Sequence, residues 1–566
     1  MTGVNFEDNQ SHQTSGPDAS KPDASEYDAI VVGSGANGGV AAKTLAEQGL
    51  KVLVLEAGPD VTPRDLRNGP IAMAQRLSNL FVTQQQSLQA AHPGYWKANP
   101  NLFTNEIQNP YTTPPDKPYL WMRGRQVGGK SLTWGGITLR MSDTEFKAAS
   151  RDQYGQDWPI AYADLAPDYQ VLEQFLGVQG DRNHLPHLPD GDYLPPAPLT
   201  PAEQRLKYLL EQHYPDRHLI PSRGFPLHQP TPENPWPASS SQGGALKVAL
   251  ATGNVELRSN AVVSHVRFDP KTSRATGVGY VDRQSNQAQT AHARLVVLCA
   301  STLESVRILL HSTAAYQPGG LVNASGLLGH NLMDHVSTCR FFFLPGVEQP
   351  KQPFQLSGSE SFFIPNFCNL NQPDQDFLRG YGIWGGVQRS DLPGLVRKVG
   401  QGAIGFLIAH GEVLPNYENH MRLNANQVDA WGIPTPHLDC AWGENEQRML
   451  RHMNQQIEEI IKLAGGEVRS LTDLYHVPLL SGYVRSMEET MVFAAPPGFY
   501  IHEVGGACMG TTPKNSVLNA QNQVWESPNL LVTDGACWVS SGWQSPTLTE
   551  MAITRRACRL AAQALR

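Results

Sequence analysis

The sequence lacks the features that mark a disulfide-stabilised or a nucleic-acid-binding protein. Its seven cysteines are scattered singly and form no C-x-x-C pair, a pattern that favours reduced thiols over a disulfide framework or a cysteine-based zinc site. The 44 lysines and arginines are outnumbered by 52 aspartates and glutamates, which gives a net charge of −8. Because no run of basic residues is present either, we do not expect nucleic acid or an anionic membrane surface as a partner.

Long apolar stretches are also missing. No segment of about eighteen consecutive apolar residues occurs, so we expect no membrane-spanning helix. The first 26 residues are polar, rich in Ser, Asp, Asn and Gln, and contain neither an apolar signal-peptide core nor a twin arginine. We therefore expect a disordered tail over residues 1–26 and a cytoplasmic location.

The stretch that organises the rest of the 566-residue chain runs from Tyr27 to Gly58. An apolar run at Ala29 to Val32 predicts a buried strand, and an Ala-rich amphipathic segment after it predicts a helix. A second apolar run, Val52 to Leu55, predicts another strand and ends at Glu56. With Gly33-Ser-Gly-Ala-Asn-Gly38 between the first strand and the helix, this order is the fingerprint of a dinucleotide-binding βαβ unit.

Each residue type in the fingerprint has a physical role. Gly33 permits a tight turn, Gly35 lets the backbone approach a pyrophosphate, and Gly38 lets the helix pack closely on the strand. Glu56 is expected to accept hydrogen bonds from ribose hydroxyls. The pattern does not choose between NAD and FAD. The cofactor contacts predicted from this unit are Gly33, Gly35, Ala36, Asn37, Gly38, Glu56 and Ala57.

Two unusual segments follow the fingerprint. Residues 109–118 contain four prolines and predict an irregular loop, which either covers the cofactor or is a surface excursion. Residues 121–136, WMRGRQVGGKSLTWGG, place glycines beside Ser and Thr hydroxyls, which indicates a backbone that approaches another group closely. On a dinucleotide-binding fold, that group is expected to be the cofactor.

The segment at 121–136 resembles the GGxSxxW element of the glucose–methanol–choline (GMC) family of flavin oxidoreductases, in its pyranose oxidase and gluconate dehydrogenase branches. The resemblance implies that the cofactor is FAD. Some family members carry a histidine, covalently joined to the flavin, just before the tryptophan; Thr133 stands there in this chain, so we expect non-covalent FAD. The contacts implied here are Arg125, Gly128, Gly129, Ser131, Leu132, Thr133, Trp134 and Gly135.

The middle of the chain continues the resemblance. Residues 255–268 predict paired strands, continued by 276–281 and 294–298, and residues 295–310 predict a strand, a turn and a helix. This resembles the family element that returns the chain to the dinucleotide sheet, and it implies cofactor contacts from Val262 and Ala300. Gly329 to His335 resembles the family's next turn, in which we expect His335 to be structural.

The remaining central regions predict a second domain. Alternating apolar segments in residues 340–495 indicate an antiparallel sheet, and Glu444 to Ala464 predicts a long helix whose methionine and isoleucine stripe packs in the core. Residues 202–214 predict a helix, whereas His184 and His187 are expected to lie in a solvated loop rather than form a metal site.

The predicted architecture is an α/β Rossmann-type FAD-binding domain interleaved with an α+β substrate domain built on an antiparallel sheet. The FAD-binding domain is assigned to residues 27–149, 250–339 and 496–566. The substrate domain is assigned to residues 150–249 and 340–495.

The last seventy residues carry the second chemical constellation. His502 stands beside a Gly-rich turn, and in the GMC resemblance it matches the histidine that faces the flavin. Asp534 and Gly535 match the second flavin-binding turn, while Pro546 and Thr547 match the helix start that points at the flavin. Ser545 is the expected N-cap of that helix.

The resemblance implies oxidation of an alcohol, with a hydride passing to the flavin and His502 taking the hydroxyl proton. The family usually places a second His or Asn immediately before the position of Pro546; this chain has Ser545, with Gln544 beside it, as candidates for holding the substrate hydroxyl.

We therefore predict an FAD-dependent GMC-type oxidoreductase acting on an alcohol group of a sugar, polyol or glycoside, with O₂ or a redox carrier as electron acceptor. No feature indicates an oligomeric state. Three alternatives stay open: a non-redox family member such as a lyase, a flavin-binding electron-transfer module, and an NAD-dependent dehydrogenase.

Overall fold

A computed structural model describes most of the chain. The described residues are 26–316, 323–348, 358–389, 396–477, 481–493 and 495–566. For residues 313–316 the description covers the backbone only. The expected tail over residues 1–26 therefore lies outside the described residues, apart from Glu26.

The strands fall into two main sheets and one hairpin. Their bounds are β1 Tyr27–Val32, β2 Val52–Leu55, β3 Ile220–Pro221, β4 Val255–Arg258, β5 Ala261–Asp269, β6 Arg274–Asp282, β7 Ala288–Leu298, β8 His335–Pro345, β9 Phe362–Ile364, β10 Tyr381–Val387, β11 Gly402–Glu412, β12 His420–Val428, β13 Pro434–Asp439, β14 Glu467–Val468, β15 Gln523–Val524 and β16 Ser527–Val532.

The helices range from single turns to twenty residues. Their bounds are α1 Ala36–Ala46, α2 Pro70–Phe81, α3 Pro93–Lys97, α4 Asp143–Phe146, α5 Ala148–Asp152, α6 Tyr162–Leu176, α7 Pro201–His213, α8 Ala245–Ala251, α9 Thr302–Tyr316, α10 Glu444–Leu463, α11 Leu471–Leu474, α12 Ser481–Phe493 and α13 Thr547–Leu565. Within the described ranges, none of these helices combines the length and the apolar composition needed to cross a bilayer.

The first sheet is the dinucleotide-binding sheet, in the order β15-β16-β7-β1-β2-β4. β1 runs parallel to both β2 and β7, so that Ala29 pairs with Val52 on one side and Leu295 on the other. The β5–β6 hairpin joins this sheet through antiparallel pairing of β6 with β7. The sequence pattern thus predicts both the strands around the fingerprint and their parallel arrangement correctly.

Small residues let helices approach this sheet closely. Val31 and Val54 of the sheet share a buried cluster with Ala41 and Ala42 of α1 and with Ala561 of α13. A Cβ atom added at Gly38 would lie 1.9 Å from the carbonyl oxygen of Gly33, so the helix start touches the turn directly. This close packing fixes the direction of α1 relative to β1.

The second sheet is antiparallel, in the order β14-β8-β11-β10-β9-β3. Its strands come mainly from the central part of the chain, and the predicted antiparallel sheet is confirmed. Helix α10 covers it with a buried stripe that includes Met449, Met453 and Ile457, and the predicted core role of this stripe is confirmed. A single hydrophobic cluster contains Ile30 of the first sheet and Phe342 of the second.

Residues 255–268 form strands, but their predicted pairing with each other is wrong. β4 runs parallel to β2, whereas β5 pairs with β6 in an antiparallel hairpin. Asn260, between them, has a φ of 57° and its N–H donates to the carbonyl of Gly58. This left-handed residue turns the chain out of one sheet layer and into another.

Two further expectations are corrected. The proline-rich segment is a loop, but it packs against β13, where Thr112 exchanges backbone hydrogen bonds with Pro436 and Leu438. It contributes no residue to the large cavity described below, which favours the surface alternative. At the last helix, Pro546 occupies the cap position and no side chain caps the helix, so the predicted N-cap role of Ser545 is wrong.

Candidate active site

One cavity of about 430 Å³ joins the fingerprint turn to His502. Most of the residues predicted to bind the cofactor or substrate line it. They are Gly33, Gly35, Ala36, Asn37, Glu56, Ala57, Arg125, Gly129, Ser131, Thr133, Trp134, Gly135, Val262, Ala300, His502, Ser545, Pro546 and Thr547.

The other predicted residues do not line this cavity. They are Gly38, Gly128, Leu132, Asp534, Gly535 and Gln544. Gly38 packs on Gly33, and Gly535 packs on Thr302. The Asp534 carboxylate accepts from Ser305 Oγ at 2.5 Å and from the N–H of Ala536, which shapes the turn rather than facing the cavity.

At the nucleotide end of the cavity, two glycine-rich segments meet. The hydroxyl oxygen of Ser34 accepts from the N–H of Gly128 at 3.0 Å, and a Cβ added at Gly129 would lie 3.3 Å from the Cα of Gly35. A Cβ added at Gly35 or Gly135 would meet nothing within 4 Å. The open space beside these backbones fits a pyrophosphate at the start of α1.

Glu56 holds the same turn in place. Its Oε2 accepts from the N–H and the hydroxyl of Ser34 at 3.1 and 2.7 Å, and its Oε1 accepts from the N–H of Gly58 at 2.9 Å. Burial raises the pKa of Glu56, which these hydrogen bonds oppose. The carboxylate lines the cavity and retains acceptor sites, so it can both order the turn and bind a ribose.

Arg125 supports the same interpretation. Its side chain lies over the ring of Trp431, 5.1 Å from the centroid, and its Nη1 is 3.7 Å from Glu304. Its Nε and Nη2 are buried without a hydrogen-bond partner among the described residues. Buried guanidinium nitrogens of this kind require an acceptor, and a dinucleotide phosphate or base would supply one. The nucleotide end therefore fits an FAD-sized ligand.

The first turn of α13 also lines the cavity, through Pro546 and Thr547. One turn further on, Glu550 Oε2 accepts from Asn37 Nδ2 of α1 at 2.7 Å, which links the two helix starts. Nearby, Lys130 Nζ is 2.9 Å from Glu503 Oε2. The positive end of the α13 dipole thus faces the cavity beside an ion pair between the partly exposed Lys130 and the buried Glu503.

At the other end of the cavity, His502 belongs to a cluster of rings in which His335 and His410 are buried and His502 and Tyr500 are partly buried. Its Nδ1 is 2.9 Å from Nδ1 of His335, whose Nε2 is 2.8 Å from the carbonyl oxygen of Gly542. The hydroxyl of Tyr500 is 2.7 Å from Nδ1 of His410, and the rings of His335 and His410 stack at 5.2 Å. His335, which we expected to be structural, therefore contacts His502, the predicted catalytic histidine.

The backbone around His502 is constrained. Asp334 accepts from the N–H of His502 at 2.9 Å and from the N–H of Tyr500 at 3.2 Å. Between them, Ile501 has a φ of 66°, a left-handed conformation that is strained for a β-branched residue. The two hydrogen bonds to one carboxylate hold this strained turn and point the His502 ring at the cavity.

Burial sets the charge of the cluster. It lowers the pKa of His502 well below its ordinary value, and the nearby His335, His410 and Lys130 lower it further. Burial also lowers the pKa of His335 to about 4. Both imidazoles are therefore neutral at neutral pH, and His502 is available as a proton acceptor.

Several cavity residues were missed in the sequence. Trp384 comes from β10 and His92 from the segment before α3, and neither has a local motif that points to the site. Tyr500 and Glu503 flank His502, so their position could have been inferred from that neighbourhood. His184, in contrast, lies in an irregular loop with its side chain 83% exposed and 3.4 Å from Asp190.

All seven cysteines are buried free thiols. Burial raises the pKa of Cys508 to about 11 and that of Cys558 to about 12. These thiols are therefore protonated and packed in the interior, and they do not serve as nucleophiles.

The chain matches known families along most of its length. Residues 235–337 and 415–554 match the two family models described as GMC oxidoreductase, and residues 31–81 match an NAD(P)-binding Rossmann-like domain. In structure, the chain is similar to pyridoxine 4-oxidase from Mesorbium loti, with a TM-score of 0.60, 18% identity, and coverage of 94% of this chain and 98% of that one.

Relatives of known activity align over nearly the whole chain. It is 26% identical to 2-methyl-1,2-propanediol dehydrogenase of Mycolicibacterium austroafricanum, over 94% of this chain and 95% of the relative. It is 27% identical to paromamine 6'-oxidase of Streptomyces fradiae (95% and 91%) and 24% identical to the gluconate 2-dehydrogenase flavoprotein of Pantoea cypripedii (94% and 92%). The chain therefore belongs to the GMC oxidoreductase family, as an FAD-dependent enzyme that acts on alcohol groups.

Proposed function

We propose that this enzyme oxidises an alcohol carbon of a sugar-like or polyol substrate, with His502 as the base that removes the hydroxyl proton. The observation that carries the proposal is the single cavity that holds the dinucleotide-binding turn at one end and His502 at the other. A substrate hydroxyl beside His502 would thus lie in the same enclosed space as the cofactor.

The relatives support this substrate class. Their names specify 2-methyl-1,2-propanediol, fructose, paromamine and gluconate, each of which carries at least two hydroxyl groups. Two of the relatives are named oxidases or dehydrogenases of sugars or sugar acids. A substrate with two or more hydroxyl groups is the chemistry that these names share.

Two tryptophans of the cavity wall suit such a substrate. Trp134 and Trp384 line the cavity, and their indole N–H groups are buried with no hydrogen-bond partner in the described part of the chain. An indole N–H donates only, so each requires an acceptor such as a hydroxyl oxygen. The flat faces of the same rings offer apolar surface to the C–H groups of a sugar.

His502 performs the proton step in this proposal. Its neutral imidazole accepts the hydroxyl proton, and the resulting cation then stabilises the negative charge that develops on the substrate oxygen. Bound FAD supplies the hydride acceptor for the carbon. Because Asp334 and His335 hold His502 from two sides, the ring is preorganised before the substrate arrives.

Ser545 is the proposed second contact to the substrate hydroxyl. It lines the cavity beside the first turn of α13, and its hydroxyl is not used to cap that helix. Gln544, the other candidate, is fully buried behind the wall, so we assign it no contact with substrate.

The cofactor is proposed to be held without a covalent bond. Thr133 lines the cavity directly before Trp134, and a threonine cannot form the histidyl–flavin bond of some relatives. Precipitation of the purified protein in acid should therefore release the yellow colour into the supernatant. Flavin retained on the precipitate would contradict this part of the proposal.

The test of the proposed activity is an anaerobic visible spectrum, recorded before and after adding sugars, polyols and simple alcohols. We expect polyhydroxylated substrates to bleach the flavin absorbance and simple monoalcohols to bleach it slowly. The electrons then pass to O₂ or a redox carrier. Adding air or a redox dye to the bleached enzyme distinguishes these two acceptors. A flavin spectrum that no member of the panel bleaches would overturn the proposal.

A further inference from the structure

His335 lies between a backbone carbonyl and the proposed base. Its Nε2 is 2.8 Å from the carbonyl oxygen of Gly542, and its Nδ1 is 2.9 Å from Nδ1 of His502. A carbonyl oxygen only accepts hydrogen bonds, so Nε2 of His335 must carry a hydrogen atom. This contact is the first of two consecutive hydrogen bonds that lead from Gly542 through His335 to His502.

The rest of the chain of hydrogen bonds follows from the charge of His335. A neutral imidazole with hydrogen on Nε2 has a lone pair on Nδ1, which can only accept. The 2.9 Å contact then requires hydrogen on Nδ1 of His502. Its Nε2 is consequently left unprotonated, and it is the ring nitrogen available to the cavity that His502 lines.

We propose that His335 is a positioning residue: it fixes His502 in the Nδ1–H tautomer, so that an unprotonated Nε2 faces the substrate. The importance of this tautomer for catalysis rests on the proposed role of His502 as base. The tautomer itself is a property of the two side chains and Gly542, and it can be measured independently of turnover.

Two features of the surroundings support the assignment. His335 is buried at the first residue of β8, where pairing with Glu412 of β11 fixes its backbone. Burial lowers its pKa to about 4, which keeps the ring neutral and therefore an acceptor at Nδ1. A cationic His335 would carry hydrogen on both nitrogens and would impose the opposite tautomer on His502.

The opposite tautomer is unfavourable in this geometry. With hydrogen on Nε2, His502 would place the lone pair of its Nδ1 against the lone pair of His335 Nδ1 at 2.9 Å. Both buried nitrogens would then lack a donor.

The tautomer can be tested by NMR of the FAD-loaded protein labelled with ¹⁵N-histidine. Long-range ¹H–¹⁵N spectra distinguish protonated from unprotonated ring nitrogens, and the His502 signals are identified by their loss in His502→Ala. We expect hydrogen on Nδ1 and none on Nε2 of His502, together with the reverse pattern for His335. Hydrogen on Nε2 of His502 would overturn the inference.

Two variants of His335 separate the effect of its Nδ1 acceptor from the effect of its side-chain volume. His335→Asn keeps an acceptor near the position of Nδ1, whereas His335→Leu keeps a similar volume without one. We expect the Asn variant to retain the Nδ1–H signal of His502 and to reduce its flavin within about tenfold of wild type. In the Leu variant, His502 should no longer carry its hydrogen predominantly on Nδ1, and flavin reduction should be about a hundredfold slower than in wild type.

The outcomes distinguish this inference from the proposed function. Loss of the Nδ1–H signal in the Asn variant, or its persistence in a folded Leu variant, would contradict positioning by His335. If the Leu variant does not fold, the spectra of wild type and of the Asn variant still decide whether His335 fixes the tautomer of His502. An unchanged rate of flavin reduction in His502→Ala would instead remove the base role and leave the tautomer result standing.

Discussion

The two ends of the cavity are built in different ways. The nucleotide end is made of backbone and glycine from two contiguous segments, 33–38 and 124–136, in which missing side chains create the space. The histidine end is made of side chains from separate parts of the chain, including His335, Trp384 and His502. The nucleotide end therefore depends on the absence of side chains at its glycine positions, whereas the histidine end depends on the protonation state of its imidazoles.

This difference has a consequence for how each end fails. A change at the nucleotide end acts through steric exclusion of the ligand or of neighbouring backbone. A change at the histidine end leaves room for the ligand but alters which atoms can donate and accept. Substitutions at the two ends should therefore have different effects on FAD binding and on the rate of flavin reduction.

Matched Gly→Ala substitutions should separate fold from cofactor binding at the nucleotide end. In Gly38→Ala the new Cβ would lie 1.9 Å from the Gly33 carbonyl oxygen, so we expect a loss of about 3 kcal/mol in unfolding free energy. In Gly35→Ala the new Cβ meets nothing within 4 Å, so the FAD-free protein should keep its stability. FAD affinity of the Gly35 variant should nevertheless fall at least about tenfold.

Thermal unfolding of the FAD-free proteins and FAD titration would measure the two effects. A Gly35→Ala protein that binds FAD like wild type would show that the open space at this turn does not hold the cofactor. A Gly38→Ala protein of wild-type stability would contradict the close packing of α1 on the turn.

The histidine end should respond to pH through His335. Its folded-state pKa of about 4 lies below the value of about 6.5 for an unfolded histidine, so the unfolded chain takes up the proton first as pH falls. The stability from this site is full above pH 6.5 and is lost toward pH 4. Between pH 7.5 and 5 the loss is about 2 kcal/mol.

His335→Asn removes that titration, so its stability should decline less than that of wild type over the same pH range. Urea unfolding at pH 7.5 and 5 measures the difference. The exposed strand residue His292 provides a control, since His292→Ala should follow wild type. An equal decline in wild type and the His335 variant would show that this histidine does not stay neutral in the fold.

The smallest expected effect concerns the tryptophans. Trp384→Phe keeps an aromatic ring on the cavity wall but removes the unpartnered N–H donor. We expect KM for a polyol substrate to rise about fivefold, with FAD content unchanged. Trp525→Phe is the control, because that indole donates to Ser516 outside the cavity. An unchanged KM in the Trp384 variant would argue against the N–H as a substrate contact.

How much could be predicted from the sequence follows the same division. The βαβ unit was predictable because strand, glycines and acid lie within about thirty residues, and local pattern determines local structure there. The core stripe of α10 was predictable for the same reason. The contact between His335 and His502 was not, because 167 positions separate them and only the folded topology brings them together.

The errors have physical causes as well. Continuous β-type sequence over 255–268 predicts strands but not partners, and the left-handed Asn260 decided that β4 and β5 belong to different layers. At α13, Pro546 stands at the cap position and no side chain makes a cap hydrogen bond, so the expected Ser545 cap does not form. Strand pairing and the choice between neighbouring cap residues are settled by tertiary contacts that one sequence does not display.

The central claim is that one cavity brings the cofactor and a histidine base together. The most direct test is the rate of anaerobic flavin reduction in wild type and His502→Ala, using the polyol that bleaches wild type most rapidly and His292→Ala as control. We predict a decrease of about 10²- to 10⁴-fold in the His502 variant with unchanged FAD content. Reduction within about twofold of the wild-type rate would contradict the account.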